Sequence, residues 1–246
     1  MSKISLDKIE SYNNLYKTVG LESSLSKILE EHTNSSIFAS SLGAEDQVLL
    51  EILLKTQKPF QVVTLDTGRL FNETYTTIDN TEKFFQIKIK ILFPDAIEVS
   101  QMVSEKGINL FYDSIENRKL CCKIRKLNPL GKELSTSSLW ITGVRREQSV
   151  TRSDFQFAEW DENYQVIKIN PLIDWTETQV WDYIKDKNIP YNELHDKGFP
   201  SIGCAPCTRA VLSGEDTRSG RWWWENPVTK ECGLHWKDGK LVRVKS

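Results

Sequence analysis

The five cysteines are the residues of this chain best suited to chemistry. Cys121 and Cys122 are adjacent, and Cys204 and Cys207 have the Cys-x-x-Cys spacing. Two pairs supply four thiolates, the usual ligand set of a structural zinc ion or an iron–sulfur cluster. Neighbouring residues on a helix point about 100° apart. The adjacent pair therefore favours the separated corners of a four-iron cluster over a single tetrahedral ion.

Each cysteine pair has a plainer alternative. Cys121 and Cys122 could be buried as small apolar side chains, a common state of free cysteines. Cys204 and Cys207 could be a redox-active dithiol, but that motif normally follows the first strand of a small domain, and here it follows Pro200. Because both pairs occur in one chain, each alternative is weakened.

Cys232 is separated from both pairs and lies in the polar segment "TKECGLHWKDGK", residues 229–240. A thiol gains little by packing there, and His235 follows three residues later. If the other four cysteines bind a cluster, Cys232 has no second thiol in this sequence with which to form a disulfide. The residues around Cys232 do not by themselves assign a role to this thiol.

Basic side chains gather around the same residues. Arg125 and Lys126 lie four residues after Cys121 and Cys122, so a continuing helix would place a cation on the face of each thiol. Further arginines occur as small groups in an otherwise slightly acidic chain of net charge −2: Arg145, Arg146, Arg152, Arg218 and Arg221. These groups predict a small anionic ligand. The alternative is that the arginines are scattered and solvated. The net charge argues against nucleic acid or an anionic membrane as partner.

Short β-rich apolar runs alternate with helical patterns through most of the chain. This order predicts an α/β fold, a parallel sheet flanked by helices, with ligands at the carboxyl ends of the strands. The predicted strands are 35–42, 60–67, 87–93, 137–144 and 164–172, and the predicted helices are 44–56, 71–85, 96–107 and a capped helix ending before Pro190.

The first predicted strand ends in Ser40, Ser41 and Gly43, just before a helix. Hydroxyl groups, a close backbone approach and a helix amino terminus suit a phosphate. A serine-capped turn without function is the alternative. No Gly-Lys-Ser/Thr follows, so this is not a Walker A loop.

The composition fits one soluble domain. The chain has 246 residues and is 39% hydrophobic, which is enough for a substantial core. No apolar run approaches the ~18 residues that span a bilayer, and the N-terminus lacks the apolar core of a secretory signal. We therefore expect a cytoplasmic protein with no membrane partner.

Several blocks taken together resemble the assimilatory adenylyl-sulfate (APS) reductases, the iron–sulfur branch of the phosphoadenylyl-sulfate (PAPS) reductase family. They extend from about residue 35 to 235: "SSLGAED", "LDTGRLFNETY", "CC" four residues before "K", "ITGVRREQS", "GCAPCTR" and "GRWWWENPVTKECGLH". The resemblance implies an adenine-nucleotide-hydrolase-like fold that reduces APS to sulfite and AMP in sulfate assimilation and cysteine biosynthesis. It also implies a [4Fe–4S] cluster and thioredoxin as the electron donor.

The same resemblance assigns roles to individual residues. Cys121, Cys122, Cys204 and Cys207 match the cluster ligands, and Cys232 matches the nucleophile that forms an S-sulfocysteine, with His235 beside it. Positions that bind the nucleotide or its phosphosulfate are matched by Ser40, Ser41, Leu65, Lys126, Gly143, Arg152, Arg218 and Arg221. Within one domain, residues 1–34 would be an N-terminal helical region, 35–190 the nucleotide-binding core, and 191–246 the segment with the Cys-x-x-Cys motif and the mobile catalytic tail.

Three alternatives remain open at this point. The substrate could be PAPS, or both nucleotides. A tRNA thiolase of the same fold should show a Ser-Gly-Gly-x-Asp-Ser loop and a basic surface, and neither is present. A non-enzymatic zinc module would hold zinc and have no need of Cys232. The sequence leaves open whether the protein is a homo-oligomer.

Overall fold

The structure is a computed structural model that describes residues 3–148, 152, 154–212 and 214–225. Six strands in these residues form one sheet with the order β3-β2-β1-β4-β6-β5. Four neighbouring pairs are parallel, and only the β5–β6 pair is antiparallel. The strands are β1 (Ser36–Ala39), β2 (Gln61–Leu65), β3 (Lys90–Leu92), β4 (Leu139–Ile141), β5 (Ala158–Asp161) and β6 (Val166–Ile169).

The five predicted strands are present, each shorter than its apolar run, and the predicted parallel α/β sheet is confirmed. The sequence reasoning missed β5. Its residues, Ala-Glu-Trp-Asp, contain no β-branched side chain, and the turn after it is made by Asp161, whose carboxylate accepts from the backbone N–H groups of Asn163 and Tyr164 at 3.0 Å each.

Eight α-helices in the described residues surround the sheet. Their bounds are α1 (Lys3–Val19), α2 (Leu21–Glu31), α3 (Ala44–Lys55), α4 (Asn72–Phe85), α5 (Ala96–Lys106), α6 (Ile115–Cys122), α7 (Asn128–Leu134) and α8 (Glu177–Lys187). The end of α8 before Pro190 was expected, and its start is fixed by a capping box between Thr176 and Gln179.

The sheet has an apolar core on each face, as a buried parallel sheet requires. One core packs the first helices, α3 and α8 against residues such as Phe38 and Ile169. The other packs α7 against Trp140 and Val63. At the β5 edge, the amide of Asn13 in α1 both donates to and accepts from the Ala158 backbone at 2.9 Å, which satisfies part of an open strand edge.

The helix that carries Cys121 and Cys122 continues beyond α6, but not as an α-helix. Residues Lys123–Leu127 form a π-turn, in which Asn128 N–H donates to the carbonyl of Lys123 five residues earlier. Pro129 follows, and it has no N–H to give to the carbonyl four residues before it. The condition for placing Arg125 and Lys126 by α-helical spacing, a continuing α-helix, is therefore not met at this point. Such π-turns are common at functional sites.

The segment after α8 is held by local pairings. Arg209 N–H donates to Gly220 O, and Trp222 N–H donates to Cys207 O, both at 3.0 Å. These bonds tie the Cys-x-x-Cys segment to the segment that contains Arg218 and Arg221. No helix among the described residues is long and apolar enough to cross a membrane.

Candidate active site

A cavity of about 640 Å³ opens at the carboxyl ends of the parallel strands. The chain leaves β1 towards β2 on one side, and β4 lies on the other side of β1. Ligands of open α/β sheets bind at such a reversal of strand order, because the loops that follow the two neighbouring strands separate there. The loops after β1 and β4 both line the cavity.

All eight residues predicted to bind the nucleotide or its phosphosulfate line this one cavity. They are Ser40, Ser41, Leu65, Lys126, Gly143, Arg152, Arg218 and Arg221. They come from the end of β2, from the loops after β1 and β4, from the π-turn and from the C-terminal segment. Their shared position agrees with one ligand, and their individual roles stay predictions.

Asp46, which the sequence reasoning did not single out, joins two of these loops. Its carboxylate accepts from the Ser41 backbone N–H at 2.5 Å and from the Ser41 hydroxyl at 2.7 Å. It also accepts from the Gly143 backbone N–H. Burial outweighs these bonds and raises the pKa of Asp46 to about 6. The only sequence signal was an acidic residue in the first turn of a helix.

The close approach of Asp46 explains the glycine at position 143. A Cβ atom there would lie 2.1 Å from Asp46 Oδ1, which no side chain can tolerate. The serine-cap alternative is wrong, because Gly43 is the N-cap of α3 and no side chain caps that end. The Ser41 hydroxyl is already donated to Asp46, so a ligand would meet it as an acceptor.

Arg145 and Arg146 do not provide the free positive charge that the sequence suggested. Arg145 Nε donates to Glu45 Oε1 at 2.9 Å, and its Nη1 donates to Glu147 Oε2 at 2.7 Å. Arg146 is paired with Asp174 at 2.9 Å. Both arginines are therefore engaged by acidic side chains.

A second, smaller cavity is lined by the four cysteines of the two sequence pairs, all free thiols: Cys121, Cys122, Cys204 and Cys207. Lys126 and Arg221 line both this cavity and the larger one. The two cavities therefore share a positively charged wall. Gly203 makes room for that wall, since a Cβ there would lie 2.3 Å from Arg221 Nη2.

The thiols of this cavity have unequal proton affinities. Burial raises the pKa of Cys121, and it raises the pKa of Cys207 to about 12 with help from the nearby Cys204. Burial also acts to raise the pKa of Cys204, but the charge of Lys126 and the hydrogen bond with Thr67, whose Oγ1 lies 3.2 Å from Cys204 Sγ, outweigh it and lower the pKa. Electropositive surroundings of this kind favour thiolates.

Arg125 Nε and Trp222 Nε1 are buried N–H groups beside the cysteines, and neither atom has a hydrogen-bond partner among the described residues. Arg125 reaches the site because its Nη1 donates to Thr67 O at 2.7 Å and the guanidinium is within hydrogen-bond reach of Cys121. Buried donors without acceptors are costly, so an anionic group in the cavity would relieve the cost. Within the described residues, no three His, Cys, Asp or Glu side chains are arranged to hold one metal ion.

A buried ion pair fixes the end of the described chain to the cysteine helix. Arg118, three residues before Cys121, donates Nε and Nη2 to the carboxylate of Glu225 at 2.8 and 2.7 Å. Its guanidinium also lies over the Trp222 ring, 4.7 Å from the centroid. Of the three consecutive tryptophans 222–224, Trp222 is buried in the core. Cys232 and His235 lie outside the described residues.

Comparison with known families gives one match that covers most of the chain. The family model for the phosphoadenosine phosphosulfate reductase domain matches residues 35–210. The chain belongs to this family. The matched range contains β1 to β6, the π-turn and all four paired cysteines.

Relatives within the phosphoadenosine phosphosulfate reductase domain family are similar over most of their length. A protein of Allochromatium vinosum named adenosine 5′-phosphosulfate reductase is 51% identical over 86% of this chain and 82% of its own. One of the same name from Agrobacterium fabrum is 50% identical over 81% and 77%.

Solved structures agree on the architecture. The phosphoadenylyl-sulfate reductase of Candida auris, in a phosphate complex, superposes with a TM-score of 0.69 at 26% identity over 86% of this chain and 98% of its own. An FMN adenylyltransferase of Candida glabrata has a TM-score of 0.56 at 15% identity, with 100% and 80% coverage. This second likeness shows the fold alone, an α/β sheet flanked by helices.

Proposed function

We propose that this protein is a thioredoxin-dependent APS reductase, which converts adenylyl sulfate to sulfite and AMP in sulfate assimilation and cysteine biosynthesis. One observation carries the proposal: the cavity lined by the eight predicted nucleotide residues shares the cations Lys126 and Arg221 with the cavity lined by the four cysteines. The relatives' names support the choice of substrate.

In this proposal, the nucleotide lies along the carboxyl ends of the strands. The loops after β1, β2 and β4 supply Ser40, Ser41, Leu65 and Gly143 for the nucleoside. The phosphosulfate lies at the positive wall, where Lys126, Arg218 and Arg221 neutralise its charge, and Arg152 lines the same cavity. This arrangement directs the sulfur atom towards the cysteine side of the cavity.

The first chemical step is attack of the Cys232 thiolate on the sulfur of APS. An S–S bond forms to give an S-sulfocysteine, the bond from sulfur to the phosphate oxygen breaks, and AMP leaves with that electron pair. The positive wall stabilises the charge that develops on the leaving phosphate. His235 hydrogen-bonds either the substrate or Cys232.

The second step needs two electrons from an external dithiol, for which we propose thioredoxin. Its thiolate attacks Sγ of Cys232, sulfite leaves, and a mixed disulfide forms. The second thiol of the donor then attacks the donor's sulfur atom in the mixed disulfide. Cys232 leaves as a thiolate, and the donor is oxidised to an intramolecular disulfide. Because the proposed reaction needs a reduced dithiol, we also propose a cytoplasmic enzyme, since that compartment keeps thiols reduced.

For the second cavity we propose a [4Fe–4S] cluster held by Cys121, Cys122, Cys204 and Cys207. The fit rests on four soft sulfur donors in one cavity and on the two buried N–H groups, Arg125 Nε and Trp222 Nε1, that an anionic group would satisfy. When bound, the cluster would supply a fixed local charge and a covalent link between the two cysteine segments. Lys126 would lie between it and the phosphosulfate.

The PAPS-reducing alternative is tested together with the proposal. The protein is purified without oxygen, iron and acid-labile sulfide are measured, and sulfite release is followed with APS and with PAPS in the presence of reduced thioredoxin. We expect four irons per chain, loss of iron in Cys204→Ser, and sulfite from APS. A zinc-loaded protein, or an active one without iron, would contradict the cluster. Sulfite from PAPS alone would make the enzyme a PAPS reductase.

A further inference from the structure

One wall of the larger cavity is lined by an ion pair, Glu45 with Arg145. Glu45 lines it from the first turn of α3, directly after the β1 loop, and accepts from Arg145, which follows β4. Glu45 therefore bridges the two loops that carry Ser40, Ser41 and Gly143. Its side chain is 17% exposed, whereas the Arg145 side chain is only 4% exposed.

Arg145 is held in a state that is poor for binding a further phosphate. Two acidic residues, Glu45 and Glu147, accept from its guanidinium, and the carbonyl of Trp175 accepts at 3.2 Å. The amino end of α3 is likewise engaged, because Glu45 and Asp46 lie in its first turn and offset the helix dipole. The two groups that could attract an anion to this wall, the Arg145 guanidinium and the amino end of α3, are thus already paired with carboxylates.

In the binding mode proposed above, the phosphosulfate lies at Lys126, Arg218 and Arg221, and the ribose lies against the loops after β1 and β4. A phosphate on the ribose 3′-oxygen would then bring a dianion towards the wall that Glu45 lines. Like charges at short range in a partly buried site disfavour binding, whereas a free hydroxyl carries no charge to repel. In this binding mode, Glu45 would therefore discriminate between the two nucleotides.

We infer that Glu45 is a specificity-determining residue, which excludes a 3′-phosphate both by its own charge and by occupying Arg145. This inference rests on the proposed function and names the structural basis of its preference for APS. Glu147 also pairs with Arg145, but it does not line the cavity and its side chain is 57% exposed. It therefore provides a matched control for the Glu45–Arg145 pair.

The test compares Glu45→Gln and Glu147→Gln with the unaltered protein. Dissociation constants are measured for AMP and for adenosine 3′,5′-bisphosphate, and kcat/KM is measured for APS and PAPS. We expect Glu45→Gln to improve binding of the bisphosphate and kcat/KM for PAPS about tenfold, with AMP and APS changed less than about threefold. Glu147→Gln should change both ratios much less, because Glu45 still lines the cavity and still holds Arg145.

A second variant separates the charge of Glu45 from the release of Arg145. Adding Arg145→Ala to Glu45→Gln should remove most of the gain for the 3′-phosphorylated ligands. Equal shifts in the two single variants, or unaltered protein that binds both nucleotides equally, would overturn the inference. If the unaltered protein released sulfite from neither nucleotide, the proposed function would fail, and the binding ratios would still decide the role of Glu45.

Discussion

Lys126 occupies a position that few side chains in the described part of the chain share. It lines both the larger cavity and the smaller cavity of the four cysteines, and its charge lowers the pKa of Cys204. Its neighbour Lys123, on the same π-turn, is exposed to solvent. Two lysines on one turn thus face different surroundings, which permits a direct comparison.

Lys126→Ala should lower kcat/KM for APS by about two orders of magnitude, because a cation aimed at developing negative charge in a partly buried site contributes on that scale. The AMP dissociation constant should rise less, and the melting temperature should change little. Lys123→Ala is the control and should leave turnover unchanged. Parallel losses of activity and melting temperature in Lys126→Ala would indicate a structural role instead.

Asp46 gives the folded state a pH dependence. Burial raises its pKa from 3.8 to about 6, so the folded protein holds this proton at pH values where the unfolded chain has released it. Stability therefore falls as the pH rises towards 6 and levels off above about 7. The free energy of unfolding is measured with urea for the unaltered protein and for Asp46→Asn. The difference between the two values should fall by about 1 kcal/mol between pH 5 and 7. A difference that is independent of pH would contradict this assignment.

At the scale of elements, the decisive feature is the joining of three segments around the cysteines. The π-turn between α6 and α7 presents Arg125 and Lys126 to the cavity of the four cysteines, and the pairing of residue 207 with residue 222 ties the Cys-x-x-Cys motif to the segment of Arg218 and Arg221. The Arg118–Glu225 ion pair then ties the chain that leads towards Cys232 to the same helix. The site is therefore assembled from segments far apart in sequence.

Glu225→Gln should destabilise this assembly by about 3 kcal/mol, because it leaves the Arg118 charge buried with a weaker partner. The control is Glu215→Gln, which breaks the more exposed Arg209–Glu215 pair and should change stability little. Urea unfolding followed by tryptophan fluorescence would measure both. Similar small effects in the two variants would show that the buried pair does not hold the segment.

At the scale of the whole molecule, the parallel sheet was predictable because each parallel strand lies in an apolar run and the helices α3, α4 and α5 have apolar residues at helical spacing. The edge strand β5 was not, since Ala-Glu-Trp-Asp carries no such signal. The pairing of Arg118 with Glu225 spans 107 residues, and that of Arg145 with Glu45 spans 100. Contacts of this range depend on the finished fold. Asp46 was missed for the same reason, because its hydrogen-bond donors Ser41 and Gly143 come together only when two loops meet in the fold.

The cysteine pairs were the clearest sequence signal for the site, since their spacing alone predicts a shared group. The structure brings all four to one cavity beside the predicted nucleotide residues. The π-turn was missed because the effect of Pro129 on the turn before it depends on how the helix compensates for the lost hydrogen bond. The two cavities are formed by the described residues. The nucleophile, Cys232, is a prediction from the sequence.

The most direct test of the central proposal is a single-turnover reaction without reductant. The protein is mixed with APS, AMP is quantified, and the peptide containing Cys232 is examined by mass spectrometry. We expect one AMP per active site, an SO₃ adduct on Cys232, and sulfite only after reduced thioredoxin is added. Cys232→Ser should keep its iron and bind AMP, yet form no adduct. Release of sulfite without a thiol reductant, or turnover by the serine variant, would contradict the proposed thiol nucleophile.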